Sequence, residues 1–463
     1  MLTKTAFKIF LDAPMHLWAH VRGLETPTDN DFIEQLKEQG YEVEKTAIDY
    51  IKENVSSEFE YQREFIFNNL KCTSDFIVKN PDSDSYDIYE VKSTTDVKET
   101  HEYDILFQYY VASQTINIRR LFIVYINKEY ERNGDLDLAQ AFKVREVTTL
   151  INEKLDETVT LISKAIDVAN EETSHGIATC EKIKECPCPN LCFPNLPENS
   201  IYTLANVNQE RIIALKEIGV LDIKDIPNSF DLSNRQRLQQ ISTITKKPII
   251  DKTSISKFLS YLEFPLCYLD YEAFAWPIPK YDKHKAYEYV VFQYSLHIEM
   301  QTGEIIHKEY LSTTQEDPMK EVVKNIANDL PEKGTIIVWN KAFEQNCNKE
   351  MGRIYPDYSE TMTNANKRVL DLGEIFSKQM YVDYRFKGSW SLKNILPVLA
   401  PDLSYKNLNI GNGTKAMQEW KRLVYEKIHP KEKQVIIDNL LEYCALDTYA
   451  MIKIMESLKS LRP

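Results

Sequence analysis

The segment FPLCYLDYEAF, residues 264–274, sets the tightest limit on what this chain can fold into. It is apolar enough to run through the middle of a sheet, yet it carries Asp270 and Glu272. Side chains alternate along a strand, so residues two apart project from one face. Carboxylates inside an apolar strand are expensive to desolvate unless a cation meets them. Oxygen ligands gathered in this way suit a hard divalent ion.

The sequence that follows supplies further acids. EYVVFQYSLHIEM, the turn QTGE and IIHKEYLS read as a hairpin, and a helix comes next. TIIVWN is a short β-branched run expected as a buried strand. Directly after it, NKAFEQ puts Asn340 at a helix cap and Glu344 one turn in. EYCALDTYAM reads as helix, with Tyr443 and Asp447 at i and i+4 on one face. A strand D-x-E, a post-strand N-x-x-F-acid and a helical Y-x-x-x-D resemble the order found in DEDD-type 3′–5′ exonucleases. That resemblance implies an RNase H-like fold in which Asp270, Glu272, Glu344 and Asp447 hold two Mg²⁺ or Mn²⁺ ions and Tyr443 orients the attacking water. The chain departs from the family at Glu344, where the pattern has Asp. Asp371 in VLDLGEIF is a spare acid, read here as a helix cap.

A second constellation lies upstream. FIEQLKEQG reads as a helix closed by Gly40. EFIFNNL, SDFIVKN and SYDIYEVKS read as successive strands, with PDSDS turning between the last two. Glu90 and Lys92 share a face of the third strand, and Asp75 opens the strand paired with it. HEYDILFQYYVASQ then reads as a helix carrying Gln108 and Tyr110. Two carboxylates and a lysine can hold Mg²⁺ and stabilise developing charge at a phosphodiester. The order Asp75, Glu90-Val91-Lys92, Gln108-Tyr109-Tyr110 resembles the D…ExK…QxxxY signature of RecB-like nucleases of the PD-(D/E)xK superfamily. The resemblance implies metal ligation by Asp75 and Glu90 and catalytic roles for Lys92 and Gln108. Here tyrosines follow Gln108 at one and two positions. Where relatives carry an upstream His, this chain offers Glu44 or His20.

CEKIKECPCPNLC, residues 180–192, places four of the eight cysteines in one loop. RecB-like nucleases include members with an iron–sulfur cluster, held by one cysteine near the N-terminus and three near the domain's end. Cys180, Cys186 and Cys192 are similar to that trio, but the N-terminal position, before Pro14 in FKIFLDAPMHLW, is Ala13. Cys188 is then the remaining thiol for a local site. A cluster, a zinc ion held by Cys180, Cys186, Cys188 and Cys192, and no metal all stay open. Cys72, Cys267, Cys347 and Cys444 are scattered and read as buried free thiols.

These features divide the chain into residues 1–195, a RecB-like domain ending in the cysteine loop; 196–258, a helical piece; and 259–463, an RNase H-like domain. The expected class is α/β and multidomain. ERIIALKEIGVLDIKDIPNSFDLSNRQRLQQIS resembles a helix-hairpin-helix around Gly219, although a plain helical linker accounts for it better. FKGSWSLKNILPVLAP and LEYCALDTYAM resemble the domain-of-unknown-function family 2779, which joins the two nuclease-type halves. A net charge of −14 argues against a broad basic nucleic-acid surface. Arg119-Arg120, Lys246-Lys247 and the helix from Lys415 to Lys433 are local basic stretches that also suit solvated faces. No apolar run reaches membrane-spanning length, and the N-terminus lacks a signal peptide's pattern. The expectation is a cytoplasmic nuclease acting on nucleic acid, DNA before RNA, without a membrane partner. No Walker A motif is present, so any helicase would be a separate partner. A nucleic-acid-binding scaffold with decayed catalysis, or a repair or defence endonuclease using the N-terminal site alone, are the rival expectations.

Overall fold

The computed structural model describes residues 1–26 and 31–461. The chain is a mixed α/β protein of two compact units: Met1–Asn195 with Trp276–Glu288, and Leu196–Ala275 with Tyr289 onward. The helical stretch 196–258 therefore lies inside the second unit, and a short piece of the C-terminal half lies inside the first.

The first unit is built on a six-stranded sheet. Its strands are β1 (Leu2–Thr3), β2 (Glu60–Phe67), β3 (Leu70–Lys79), β4 (Tyr86–Lys92), β5 (Ile118–Ile126) and β6 (Phe142–Glu146). The order is β1-β3-β4-β5-β6, with β2 antiparallel to β3. β3 and β4 are antiparallel, and β4 and β5 run parallel. Alternation along these strands feeds two cores. Ile77, Ile88, Leu121 and Ile123 pack with Phe7, Ile105 and Phe107 from the helices Lys4–Asp12 and Glu99–Ala112. Phe76, Val78, Tyr89, Val91, Phe122 and Val124 pack with Val43, Ala47 and Ile51 from the helix Asp31–Asn54. Glu90 has the parity of Ile88, so it points toward the first of these cores.

Gly40 does not end its helix, which runs unbroken from Asp31 to Asn54. The buried stripe Val43, Ala47, Tyr50 and Ile51 continues the helical period past it. Burying those side chains outweighs the cost of about 1 kcal/mol for one helical glycine.

The second unit carries a five-stranded sheet of β8 (Leu266–Ala275), β9 (Tyr289–Glu299), β10 (Ile305–Leu311), β11 (Ile336–Val338) and β12 (Val369–Asp371), in the order β10-β9-β8-β11-β12. β8, β9 and β10 are antiparallel, and β8, β11 and β12 are parallel. A separate ribbon pairs β7 (Ile249–Ile250) with β13 (Tyr381–Val382). The long helix Pro430–Lys459 packs Met451, Ile454, Met455 and Leu458 against Leu266, Tyr268 and Ile337. Leu266 and Tyr268 share parity with Asp270, so strand alternation aims both acids of β8 at this helix's face. In the 196–258 stretch, the helices Gln209–Glu217 and Asn234–Thr245 flank a turn at Gly219, whose φ of 75° is the left-handed conformation glycine allows.

Candidate functional site

In the second unit the fold brings Asp270 and Glu272 on β8 together with Asp447 on the C-terminal helix. One carboxylate oxygen from each lies within 4.8 Å of the others. Burial pushes the carboxyl groups of Asp270 and Glu272 well above the usual carboxylate range, and their neighbouring acids push the same way. Burial also raises Asp447, to about 6, against hydrogen bonds from Tyr405 and Tyr443 that favour its charged form. Glu344, in the first turn of the helix Lys341–Ile354, is 2 % exposed. Its Oε2 has no hydrogen-bond partner, and burial, with Asp270 nearby, raises its pKa too. No lysine or arginine among the described residues forms an ion pair with these four acids. Lys393 is the cation whose charge reaches Asp447 and Glu272, and burial lowers its own pKa.

The surrounding side chains are aromatic and sulfur-bearing. Tyr443 stands one helical turn from Asp447, with its ring 6.2 Å from that of Tyr405. The Tyr405 hydroxyl donates to Asp447 Oδ1. Lys393 donates to the Gly411 carbonyl at 2.7 Å and sits 5.7 Å and 5.8 Å from the Tyr405 and Tyr443 ring centres. Cys444 Sγ lies 3.6 Å from Asp270 Oδ2. Sequence reasoning missed Tyr405 and Lys393, and the segment around Lys393 was noticed only for its family resemblance.

Asp371 lies outside the acid group. Its carboxylate accepts from the backbone N–H groups of Lys341 at 3.1 Å and Gly373 at 2.8 Å. It thus caps the helix that carries Glu344. Asn340 occupies the N-cap position but makes no side-chain cap hydrogen bond, so the neighbouring strand end supplies the cap instead.

The first unit gathers Asp75, Glu90, Lys92 and Gln108 around charges that were not anticipated. Lys92 Nζ donates to Glu90 Oε1 at 2.5 Å and to Asp104 Oδ2 at 2.6 Å. Lys4 donates to Glu90 Oε1 at 3.0 Å, and Lys8 lies 3.7 Å from Asp104. Gln108 Nε2 donates to Asp104 Oδ1 at 3.1 Å. Asp75 Oδ2 accepts from the Val91 backbone N–H at 2.8 Å, while burial and the adjacent Glu90 raise its pKa. Burial works against a charge on Glu90, but Lys4 and Lys92 hold its pKa below the usual value. Glu90 Oε2 and Gln108 Oε1 are buried without partners. Lys4 and Lys8 come from a helix far upstream of the E-x-K strand and Asp104 from the helix that follows it, so the strand pattern alone did not reveal them. Glu44 accepts from Tyr61 at 2.9 Å, and His20 pairs with Glu25 at 3.0 Å. The basic pair Arg119-Arg120 is spent on Asp87, at 2.6 Å and 3.1 Å.

In the cysteine loop the donors that converge are Cys180, Cys186, Cys192 and His16, all buried and all within 4.8 Å of one another. Cys188 lies 3.7 Å from Cys192 Sγ but outside that group. Ala13, the position expected to hold an N-terminal ligand, is the N-cap of the helix Pro14–His20, and His16 follows inside that helix. Burial opposes charge on His16, yet Asp12 and Cys192 hold its pKa at about 9. Burial likewise opposes a Cys192 thiolate, which His16 draws down to about 7. All eight cysteines are free thiols.

Among the described residues no helix is long and apolar enough to cross a membrane. The chain shows 28% identity over 141 residues to "Uncharacterized protein UU173" of Ureaplasma parvum serovar 3, an alignment that spans 27% of this chain and 20% of that protein. It also matches a solved structure titled "Crystal structure of SSO0001" at 14% identity, covering 36% of this chain and 76% of that one, with a TM-score of 0.25. Residues 267–391, which include Asp270, Glu272, Glu344 and Asp371, match the family described as Domain of unknown function (DUF2779).

Proposed function

We propose that the chain is a metal-dependent nuclease, most simply a 3′–5′ exonuclease, with Asp270, Glu272, Glu344 and Asp447 as its metal-holding acids on an RNase H-like second unit. One observation carries this reading. The carboxylates of half-buried Asp270 and buried Glu272 and Asp447 converge within 4.8 Å, and no lysine or arginine among the described residues ion-pairs with them, so their charges are left for a cation to balance. The donor set is all oxygen, which matches Mg²⁺ or Mn²⁺. Divalent ions held there would activate water and offset charge on the leaving oxygen of a phosphodiester.

The chain's own residues divide the remaining tasks. Tyr443, one turn from Asp447, would orient the attacking water. Tyr405 fixes the Asp447 carboxylate through its hydroxyl. Asp371 anchors the start of the helix that presents Glu344. Nucleic acid is the proposed substrate, with DNA ahead of RNA.

The test is a time course with Mg²⁺ and Mn²⁺ on 5′-labelled single-stranded DNA and RNA, with wild type beside Asp270→Asn. The expected outcome is a ladder of shortening products that falls by roughly 10²-fold or more in the variant. Equal cleavage by both proteins removes the second-unit site from the chemistry.

A second reading places a PD-(D/E)xK-type site in the first unit. It is favoured by the buried, partnerless Glu90 Oε2 near Asp75 and Lys92. Against it, Lys4 and Lys92 already neutralise Glu90. Cleavage that survives Asp270→Asn and disappears in Glu90→Gln would select this site.

A further inference from the structure

We propose that His16, Cys180, Cys186 and Cys192 bind one Zn²⁺ ion as a closed structural site that ties the N-terminal helix Pro14–His20 to the cysteine loop. The site goes beyond the nuclease reading and does not depend on it.

Three observations carry it. First, four soft or borderline donors from two distant parts of the chain lie within 4.8 Å of one another, and all are buried. Around one tetrahedral zinc, with Zn–S near 2.3 Å, neighbouring sulfurs stand about 3.8 Å apart, so a group this compact suits a single ion. A four-iron cube puts a separate iron behind each thiolate and holds its four sulfur donors farther apart. Second, His16 is aimed. Its Nδ1 lies 2.6 Å from Asp12 Oδ2, and an ionised carboxylate can only accept. In the neutral imidazole that a zinc ion requires, the proton therefore sits on Nδ1 and Nε2 presents its lone pair. That Nε2 is buried and has no partner. A carboxylate behind a histidine is the usual support of a zinc ligand, fixing tautomer and ring orientation. Third, the loop needs an internal tie. Between the helix ending at Asn170 and Asn195 the regular structure amounts to Ile183–Glu185 and Pro189–Cys192. The backbone already docks there, with Met15 N–H donating to the Ala178 carbonyl at 3.0 Å. Trp18 Nε1 donates to the Glu171 carbonyl at 3.0 Å.

Three thiolates and one imidazole fill a tetrahedron, so no position remains open for substrate, and the ion's role is to hold the fold. Cys188 is left as a bystander. Its thiol faces the Met15 carbonyl at 4.0 Å.

The full-length chain, purified without oxygen, is analysed for zinc, iron and acid-labile sulfide. Zinc affinity is then measured by chelator competition, and Co²⁺ is substituted to read the donor set from its visible spectrum. About one zinc per chain and no sulfide are expected. Cys188→Ser should leave zinc affinity unchanged, and His16→Ala should lower it roughly 10- to 100-fold. If His16→Ala fails to fold, His16→Cys decides. It should retain the metal and strengthen the cobalt thiolate-to-metal band as a fourth sulfur joins. Iron with sulfide in the wild type, a metal-free wild type, loss of zinc in Cys188→Ser, or a cobalt spectrum unchanged in His16→Cys would each overturn the assignment.

Discussion

Glu344 shows how much an isolated buried carboxylate can say. It is 2 % exposed, one of its oxygens has no partner, and its pKa is raised by burial with Asp270 adding to the effect. Its position in the first turn of a helix gives it some help from the helix dipole, but that is worth at most ~1–2 kcal/mol. A group in this state destabilises the metal-free fold and becomes favourable only when a cation arrives. Glu344→Gln should therefore separate the two effects. In the presence of chelator its melting temperature should rise above wild type, because Gln does not carry the cost of burying an acid that ionises freely in the unfolded chain. Its Mn²⁺ affinity by calorimetry should fall at least about tenfold, and cleavage with it. A variant that melts lower in chelator and binds Mn²⁺ normally would make Glu344 a packing residue. The shorter Asp of the exonuclease pattern is replaced here by a longer acid, and Glu344→Asp tests whether reach matters. It should retain more activity than the Gln variant.

Elements explain which expectations the sequence could support. The strands around Asp75, Glu90 and Asp270 follow period-two alternation, and the structure places them as that alternation requires. Their acids were legible because polarity inside an apolar run is itself the signal. Helix ends were less legible. Gly40 lies in mid-helix because tertiary packing overrides a local stop signal. Asn340 makes no side-chain cap, and Asp371 on β12 instead accepts from the Lys341 N–H that opens the helix. Asp371→Ala should cost about 1–2 kcal/mol in urea denaturation, the usual worth of an N-cap. It should also weaken cleavage by displacing the helix that carries Glu344. Full stability in that variant would show the cap to be redundant. In the first unit the corresponding dependence is ionic. Lys92 balances Glu90 and Asp104, both almost fully buried. Removing it leaves those charges to Lys4 and Lys8, and Lys92→Ala should destabilise this unit by about 3–5 kcal/mol. A loss of activity in Lys92→Ala is therefore informative only beside a denaturation curve.

At the scale of the whole molecule, what the sequence concealed was convergence between distant segments. His16 and Cys192 are separated by most of the first unit, and Lys4 reaches Glu90 across 86 residues. Tyr405 meets Asp447 over a separation of 42. No local period or spacing encodes such meetings, because they depend on how helices dock on the sheets. Their summed electrostatics predicts an unusual response to pH. Asp270, Glu272, Glu344 and Asp447 have folded pKa values raised by burial, with Asp447 at about 6. Below the ordinary carboxylate range, folded and unfolded chains both hold these protons. As pH rises, the unfolded chain releases them first, so the folded state binds more protons and its stability falls. For Asp447 the loss develops between the ordinary carboxylate range and pH values above about 6. It is the reverse of the usual behaviour of a salt-bridged carboxylate. Asp447→Asn removes this liability while keeping an oxygen for the Tyr405 hydroxyl. In chelator, the gap between variant and wild type should be smallest at or below about pH 4 and should widen in the variant's favour, by a few degrees, as pH rises past about 6. Adding Mn²⁺ near pH 8 should stabilise wild type more than the variant and close or reverse the gap. A gap that does not widen with pH would mean that these acids are solvated in the folded protein, and the case for a cation among them would lose its physical basis.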